Sequence, residues 1–330
     1  MLEINIEKLA EEIKKRKAGL VAMQFPDGLK PKSEDIALAI EKKTGARAIV
    51  FAEPCFGACD LKDREAKELG AELLVHFGHS RLIENEKIPT IYVEASYRVD
   101  KKKIEKGIGK LAELLDKNKN KKVAIAGTVQ YLKHVKKAGE LLEEKGFTVL
   151  SGKGKNLARG QVLGCNYSGM DKTAEKAQAL VFVGDGKFHA IGMAAAFNKK
   201  VFLLNPNTGE VQAPEMETEK LVRKRISFIE HAKQAEKFAL LVSTKPGQQN
   251  LKKALELKKD LEKKGKKAIV FVSENIQPEH YIGLGFDIFV NTACPRIAID
   301  DESKFSAPVL SIEECEAVTG KKKLDELFRI

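Results

Sequence analysis

The chain lacks the features that mark several common protein classes. It has no tryptophan and five tyrosines in 330 residues, which leaves few rings on which nucleic-acid bases could stack. No apolar run approaches the roughly 20 residues of a membrane helix. The N-terminal stretch, residues 1–19, is charged and amphipathic and lacks the apolar centre of a signal peptide. We therefore expect a cytoplasmic globular protein with no membrane contact and no direct nucleic-acid partner.

Cysteine is scarce, and its spacing excludes the common cysteine motifs. The chain has five cysteines and no C-x-x-C pair. An odd number argues against a disulfide framework. The missing pair argues against a zinc ribbon, a thioredoxin-type redox motif and the usual local iron–sulfur runs. We therefore expect thiols that are free or bound to metal. The five are Cys55, Cys59, Cys165, Cys294 and Cys315.

The charge is basic but widely spread. The net charge is +11, from 58 Lys and Arg against 47 Asp and Glu. Much of the excess lies in lysine runs at residues 117–122, 263–267 and 321–323, which is typical of a solvated surface. Such a surface also attracts acidic partners at long range.

Short runs of Val, Ile, Leu and Phe alternate with lysine-rich helical stretches along the whole chain. This alternation predicts βαβ units with buried parallel strands. Long helices are predicted over 101–117 and 216–235. The predicted strands form three groups: 19–25, 46–52, 71–77 and 89–95; 121–127, 147–152, 177–184 and 199–205; 237–243, 266–272, 285–291 and 307–312.

The three groups repeat at a nearly constant distance. Their third strands, AELLVHFGH, AQALVFVGD and GFDIFVNTA, begin at residues 71, 177 and 285, so the offsets are 106 and 108 residues. Such an offset predicts three copies of one domain, each large enough for its own core. We place them at residues 1–117, 118–235 and 236–330. The expected fold is three homologous α/β domains, each a four-stranded, mostly parallel sheet flanked by helices, around a pseudo-threefold centre.

Three cysteines occupy related positions in this repeat. Cys59 and Cys165 follow the second strand of their copies and Cys294 follows the third, and small or turn-forming residues flank each of them. Ligands sit at the carboxyl ends of parallel strands, and soft thiolates suit zinc or an iron–sulfur cluster. Alternatively, these cysteines are small buried hydrophobic residues. Their spacing alone favours neither metal binding nor packing. Cys55 and Cys315 have no counterparts, which favours packing.

Other polar stretches also end predicted strands, namely PDG (26–28), FGHS (77–80), GDGKFHAIG (184–192) and KPGQQ (245–249). The glycine-rich third stretch precedes a helix, so its amides could meet an anion, but it lacks the P-loop and dinucleotide spacings. Two of the six histidines lie in these stretches, where they either face the cleft or orient loops by hydrogen bonds. They are His79 and His189.

Seven motifs together carry a resemblance that covers essentially the whole chain. They are MQFPDGLK (23–30), FGACD (56–60), HFGHS (76–80), RGQVLGCN (159–166), VGDGKFHAIG (183–192), NPNTGE (205–210) and TACPRIAIDD (292–301). In these motifs the sequence resembles the archaeal diphthamide-synthesis enzymes, the 2-(3-amino-3-carboxypropyl)histidine synthases.

The resemblance implies a homodimer and a 4Fe–4S cluster held by Cys59, Cys165 and Cys294. It implies that the unique iron binds S-adenosylmethionine, whose Cγ–S bond breaks to give methylthioadenosine and a 3-amino-3-carboxypropyl radical. The radical adds to C2 of a histidine of translation elongation factor 2. An electron donor is then a further partner.

Strand-end placement adds weaker candidates for the S-adenosylmethionine pocket: Asp27, Gly28, Gln248, Arg296 and Asp300. Three other functions stay open from the sequence. They are a quinolinate synthase-like 4Fe–4S dehydratase, a non-catalytic electron-transfer cluster protein, and a zinc protein or plain α/β binding module with incidental thiols.

Overall fold

The computed structural model describes residues 2–328. The strands are β1 (Leu2–Glu3), β2 (Leu20–Gln24), β3 (Arg47–Phe51), β4 (Leu73–Phe77), β5 (Thr90–Val93), β6 (Ser96–Tyr97), β7 (Lys122–Gly127), β8 (Thr148–Leu150), β9 (Ala179–Val183), β10 (Val201–Asn205), β11 (Glu210–Gln212), β12 (Lys237–Ser243), β13 (Lys267–Ser273), β14 (Ile288–Asn291) and β15 (Val309–Leu310).

The α-helices are α1 (Ile6–Arg16), α2 (Ser33–Thr44), α3 (Asp63–Glu68), α4 (Lys101–Lys117), α5 (Leu132–Glu144), α6 (Asp171–Lys176), α7 (Phe188–Phe197), α8 (Glu215–Gln234), α9 (Leu251–Lys263), α10 (Pro295–Ile299), α11 (Ile312–Thr319) and α12 (Leu324–Phe328). Short 3-10 helices span Asp27–Lys32, Val129–Tyr131, Pro278–Tyr281 and Glu302–Lys304. Within residues 2–328, none of the helices has the length and apolar character needed to cross a membrane.

Three sheets share one strand order. The orders are β3-β2-β4-β5, β8-β7-β9-β10 and β13-β12-β14-β15, and all of these neighbours pair in parallel. Strand β11 adds an antiparallel edge to β10, and β1 pairs separately with β6. The common order confirms the predicted fold of three α/β units with mostly parallel sheets.

The strands that revealed the repeat hold the same place in each sheet. β4, β9 and β14 each lie between the first and the fourth strand of their group, and every residue of all three is buried. Helices cover both faces of a parallel sheet, so its inner strands are mostly apolar. This physical requirement explains why three mainly apolar runs recur along the sequence.

Helix α4 shows how the local pattern directs packing. The Asp100 carboxylate caps the helix by accepting a hydrogen bond from the Lys102 backbone N–H at 2.9 Å. Its apolar side chains recur every three or four residues and form one buried stripe. The stripe comprises Ile104, Ile108, Leu111 and Leu115, and it packs in a core with β7, β9 and β10.

Each sheet also packs against the long helix that precedes it in sequence. Leu9 and Ile13 of α1 lie in the core of the first sheet, α4 lies in that of the second, and Ile229 and Ala232 of α8 lie in that of the third. The boundaries after residues 117 and 235 stay a prediction. From the core packing, we propose that α4 and α8 begin the second and third domains.

The three domains meet through loops at the carboxyl ends of their strands. Side chains of the second domain bind the loop after β4, a buried ion pair joins the loops after β3 and β12, and an arginine of α10 lies over a ring of α7. These contacts are Gln130 Nε2 to Gly78 O at 2.9 Å, Gln161 Nε2 to Ser80 Oγ at 2.8 Å, Lys245 Nζ to Asp60 Oδ2 at 2.7 Å, and Arg296 at 4.7 Å from the Phe188 ring centroid.

Candidate metal centre

Cys59, Cys165 and Cys294 line one cavity of about 210 Å³. We call it the three-cysteine cavity. Its walls come from loops after strands of all three sheets, so it lies where the domains converge. Other side chains that line it are Phe56, His79, Gln130, Gln161, His189 and Arg296. The structure thus brings together three thiols that are far apart in sequence, while their role as metal ligands stays a prediction.

Cys59 of the first domain is held by the third domain. The backbone N–H of Gly247 donates to the carbonyl of Cys59 at 2.9 Å. The buried side chain of Gln248 donates from Nε2 to the Cys59 sulfur at 3.2 Å. Burial raises the pKa of the Cys59 thiol, and this hydrogen bond opposes the rise. The KPGQQ stretch therefore supports a cysteine of another domain.

Cys165 lies at the tip of a tight turn. The backbones of Leu163 and Asn166 exchange hydrogen bonds of 3.0 and 3.1 Å across it. Of the three cavity cysteines, Cys165 is the exposed one. Desolvation by the cavity walls still raises the pKa of its thiol to about 11, and the charges of Cys59 and Cys294 add to this effect. The three thiols therefore sense one another electrostatically.

Cys294 directly precedes the short helix α10. Pro295 occupies the first helical position, where a missing N–H costs nothing. The Asn291 side chain holds the loop, because its Nδ2 donates to Cys294 O at 2.8 Å and its Oδ1 accepts from the Ala293 N–H at 3.0 Å. Burial raises the pKa of the Cys294 thiol, while the backbone N–H and the charge of Arg296 lower it. The TACPR stretch is thus a rigid support for one thiol.

The residues around the cavity fit a metal cluster. Three thiolates are soft ligands that suit zinc or iron–sulfur centres, and three protein ligands leave a fourth position open, as catalytic metal sites require. Burial raises the pKa of Cys59 and of Cys294, and Lys245, which pairs with Asp60, opposes that rise at both thiols. Gln248 supplies the hydrogen bond to sulfur that tunes such centres.

The weaker candidates for the S-adenosylmethionine pocket do not share one location. Asp27 is exposed, begins a 3-10 helix and pairs with Lys30 at 2.8 Å, and neither it nor Gly28 is among the residues that line the three-cysteine cavity. Arg296 does line it, and its Nε donates to Asp300 Oδ2 at 2.7 Å. Contact with S-adenosylmethionine stays a prediction for all of these residues and for Gln248.

A buried polar cluster beside the cavity was missing from the sequence predictions. Ligand-type atoms of Cys55, His76 and His79 all lie within 4.8 Å of one another. The sequence pattern assigned Cys55 to packing and named His79 as a strand-end candidate, but it did not select His76. The usable signal was HFGHS, in which one histidine lies in a buried strand and a second follows that strand three residues later. The hydrogen bonds of this cluster reach Gln24 on the neighbouring strand β2.

Comparisons with known proteins agree with this geometry. The model of the diphthamide synthesis protein family matches residues 25–328. The 2-(3-amino-3-carboxypropyl)histidine synthase of Pyrococcus horikoshii is 34% identical over 99% of this chain and 94% of its own length. The synthase of Methanocaldococcus jannaschii is 30% identical over 93% of this chain and 87% of its own length. Subunit 1 of the Saccharomyces cerevisiae synthase is 30% identical over 96% of this chain and 74% of its own length.

A solved structure extends the similarity to three dimensions. The crystal structure of Dph2 from Pyrococcus horikoshii with a 4Fe–4S cluster superposes with a TM-score of 0.88 at 34% identity. The match covers 98% of this chain and 93% of that one. The chain therefore belongs to the diphthamide synthesis protein family, together with the 2-(3-amino-3-carboxypropyl)histidine synthases.

Proposed function

We propose that this protein is a 4Fe–4S enzyme that breaks the Cγ–S bond of S-adenosylmethionine. It transfers the 3-amino-3-carboxypropyl group to a histidine of translation elongation factor 2, the first step of diphthamide synthesis. The observation that carries the proposal is the meeting of Cys59, Cys165 and Cys294 in one cavity. The synthase names of the relatives and the cluster in the Pyrococcus structure support it over a quinolinate synthase-like activity.

Cys59, Cys165 and Cys294 would hold the cluster. When bound, such a cluster supplies one electron and an open iron position. The protein's own task is to orient the sulfonium, because orientation decides which carbon–sulfur bond is placed to react. Arg296 on the cavity wall carries the charge that suits the carboxylate of S-adenosylmethionine. Its partner Asp300 holds that guanidinium in place.

The proposal extends to the setting of the reaction. The protein acts as a homodimer in the cytoplasm of an archaeon, and an electron donor reduces it; the 34% identity with the Pyrococcus synthase favours the archaeal source. The acceptor histidine belongs to a folded protein, so the cavity must admit a loop of that partner. The basic surface, with its net charge of +11, would speed docking to an acidic partner.

The test is an anaerobic reaction. Protein purified without oxygen and then reduced should convert S-adenosylmethionine to methylthioadenosine and alkylate elongation factor 2, but not a variant of the factor that lacks the target histidine. Cys59→Ala should lose both products and most of the iron, about four atoms per chain. Cys315→Ala is the matched control, since Cys315 is buried in the core of the third sheet. Iron-free wild-type protein, or an active Cys59→Ala variant, contradicts the proposal.

Gln248→Leu tests the hydrogen bond to the cluster ligand. The Nε2 donor stabilises negative charge on the Cys59 sulfur, and the reduced cluster carries more of that charge. We therefore expect a more negative reduction potential, by on the order of tens of millivolts, in a redox titration followed by electron paramagnetic resonance. Gln249→Leu is the control because Gln249 is exposed. Equal potentials in the two variants would refute this role.

A further inference from the structure

A buried chain of hydrogen bonds runs from the first sheet to the three-cysteine cavity. Gln24 on β2 and His76 on β4 are register partners and are 1% and 0% exposed. Gln24 Oε1 lies 3.0 Å from His76 Nδ1, and His76 Nε2 lies 3.1 Å from His79 Nδ1. His79 lines the cavity. The chain therefore ends on a ring at the candidate site.

Backbone groups set the direction of this chain. The Gln24 amide donates from Nε2 to the carbonyl of Asp60 at 2.6 Å, and its Oε1 accepts from the N–H of Lys62 at 3.2 Å. A carbonyl only accepts and an amide N–H only donates, so the amide cannot be turned over. Nδ1 of His76 must therefore carry the proton that reaches Gln24 Oε1.

The same reasoning then shows which nitrogen of each imidazole carries the proton. Since His76 is neutral and protonated on Nδ1, its Nε2 accepts, and Nδ1 of His79 is the donor to it. A neutral His79 protonated on Nδ1 keeps a free lone pair on Nε2. Burial supports neutrality, because it lowers the pKa of His76 to about 3 and of His79 to about 4. Within residues 2–328, the side-chain hydrogen bond of His79 is the one that its Nδ1 makes with His76, and the backbone of Phe77 opposes the effect of burial on its pKa.

We propose that Nε2 of His79 is the catalytic base that accepts the proton from C2 of the acceptor histidine, a role that rests on the proposed function. Gln24 and His76 are positioning residues, since they hold His79 in the one tautomer whose second nitrogen, Nε2, is unprotonated. A fixed second partner of this kind is how proteins set the tautomer of a working histidine.

The net reaction requires such a base. The Cγ–S bond of S-adenosylmethionine and the C2–H bond of the acceptor imidazole break, and one bond forms between Cγ and C2. The sulfur leaves in methylthioadenosine with the electron pair of the broken bond, and one proton leaves C2. No net electron is consumed, so no further oxidant is needed. The adduct of the radical with the imidazole must lose one electron, which would return to the oxidised cluster, and one proton before the ring is aromatic again.

His189 is the other histidine of the cavity wall, and it lacks this support. Its ring stacks on Phe182 with a centroid distance of 5.2 Å, and neither of its nitrogens has a hydrogen bond within residues 2–328. The tautomer of His189 is therefore not set by the structure.

Metal binding is a rival function for Cys55, His76 and His79. An ion bound there would have to break the hydrogen bonds from Gln24 to His79, because both nitrogens of His76 already take part in them.

The test is His79→Asn in the full-length, cluster-loaded protein. The asparagine Nδ2 can still donate to His76, but the basic nitrogen is gone. We expect methylthioadenosine formation within about twofold of wild type, whereas transfer to elongation factor 2 falls on the order of 10²-fold. An acceptor deuterated at C2 should show a larger kinetic isotope effect on transfer in the variant, because proton removal becomes rate-limiting. His231→Asn, at an exposed position of α8, is the control.

Three results would overturn the proposal: unchanged transfer, a parallel loss of both products without an isotope effect, or a stoichiometric zinc ion that His79→Asn removes. Iron content and circular dichroism show whether the variant is intact, and His79→Gln decides the matter if the asparagine variant is not. Failure of the proposed function looks different, since wild-type protein would then make no methylthioadenosine at all.

Discussion

Replacing Gly247 by alanine should give a folded protein that has lost most of its iron. A Cβ at this position would lie 2.5 Å from Cys59 Cα and 2.6 Å from Cys59 Cβ. Both obstacles belong to the cysteine itself, so no flexible side chain can move aside. Overpacking of this kind costs about 1–3 kcal/mol, and the strain falls on the loop that presents Cys59. The Cys59 thiol should therefore leave its place in the cavity.

Iron per chain and the visible absorbance of anaerobic protein measure this effect. Gly109→Ala in α4 is the matched control, since nothing lies within 4 Å of the added carbon there, and alanine should stabilise a helix interior by about 0.5–1 kcal/mol. If Gly247→Ala keeps its iron, Cys59 is not a ligand or its loop is more compliant than the contact with Gly247 indicates.

Lys245→Met should lower the free energy of unfolding by about 3–5 kcal/mol, because it leaves the Asp60 carboxylate buried without its partner. The two side chains are 6% and 2% exposed, and their charged atoms lie 2.7 Å apart. Each belongs to a different domain, so the loss should appear at the junction of the first and third domains. Chemical denaturation followed by far-ultraviolet circular dichroism measures it.

A double-mutant cycle separates the free energy of the ion pair from the contribution that the lysine side chain makes by packing. Lys245→Met combined with Asp60→Asn should recover part of the loss, since no unpaired charge is then buried. Lys304→Met is the control, because Lys304 and Asp301 form an exposed pair, 65% and 42% accessible, whose loss should cost less than about 1 kcal/mol. A Lys245→Met cost as small as that of the control would show that the pair adds no stability.

Much of the fold could be predicted from the sequence because local patterns carry it. The predicted helix over 101–117 is α4 (Lys101–Lys117), and the strand predicted over 71–77 contains β4 (Leu73–Phe77). A stripe of apolar residues every three or four positions and a mainly apolar run are visible without knowledge of the partner elements. The helix of a repeat, by contrast, could pack on either sheet beside it, and only the core contacts show that α4 packs on the second.

The candidate ligands could also be predicted from local patterns, but the residues that support them could not. Cys59, Cys165 and Cys294 each follow a predicted strand, and topology sends strand ends to one edge. The donor to Cys59 is Gln248, 189 residues away, and no local pattern relates their two loops. Placement after a predicted strand selected both Gln248 and Asp27. Of these two, Gln248 contacts a cavity cysteine and Asp27 does not.

By itself, the sequence determined the α/β architecture and the family and selected the three cysteines that line one cavity, because periodicity, repeat spacing and motifs are properties of short segments. Only the tertiary structure decided which side chains support those thiols. The Lys245–Asp60 pair spans 185 residues and the His76–Gln24 contact spans 52. Such partners are chosen by the packing of whole domains, which fixes distances and excludes water. His76 therefore has no recognisable role in the sequence, while in the fold it forms a hydrogen bond with His79 at the cavity.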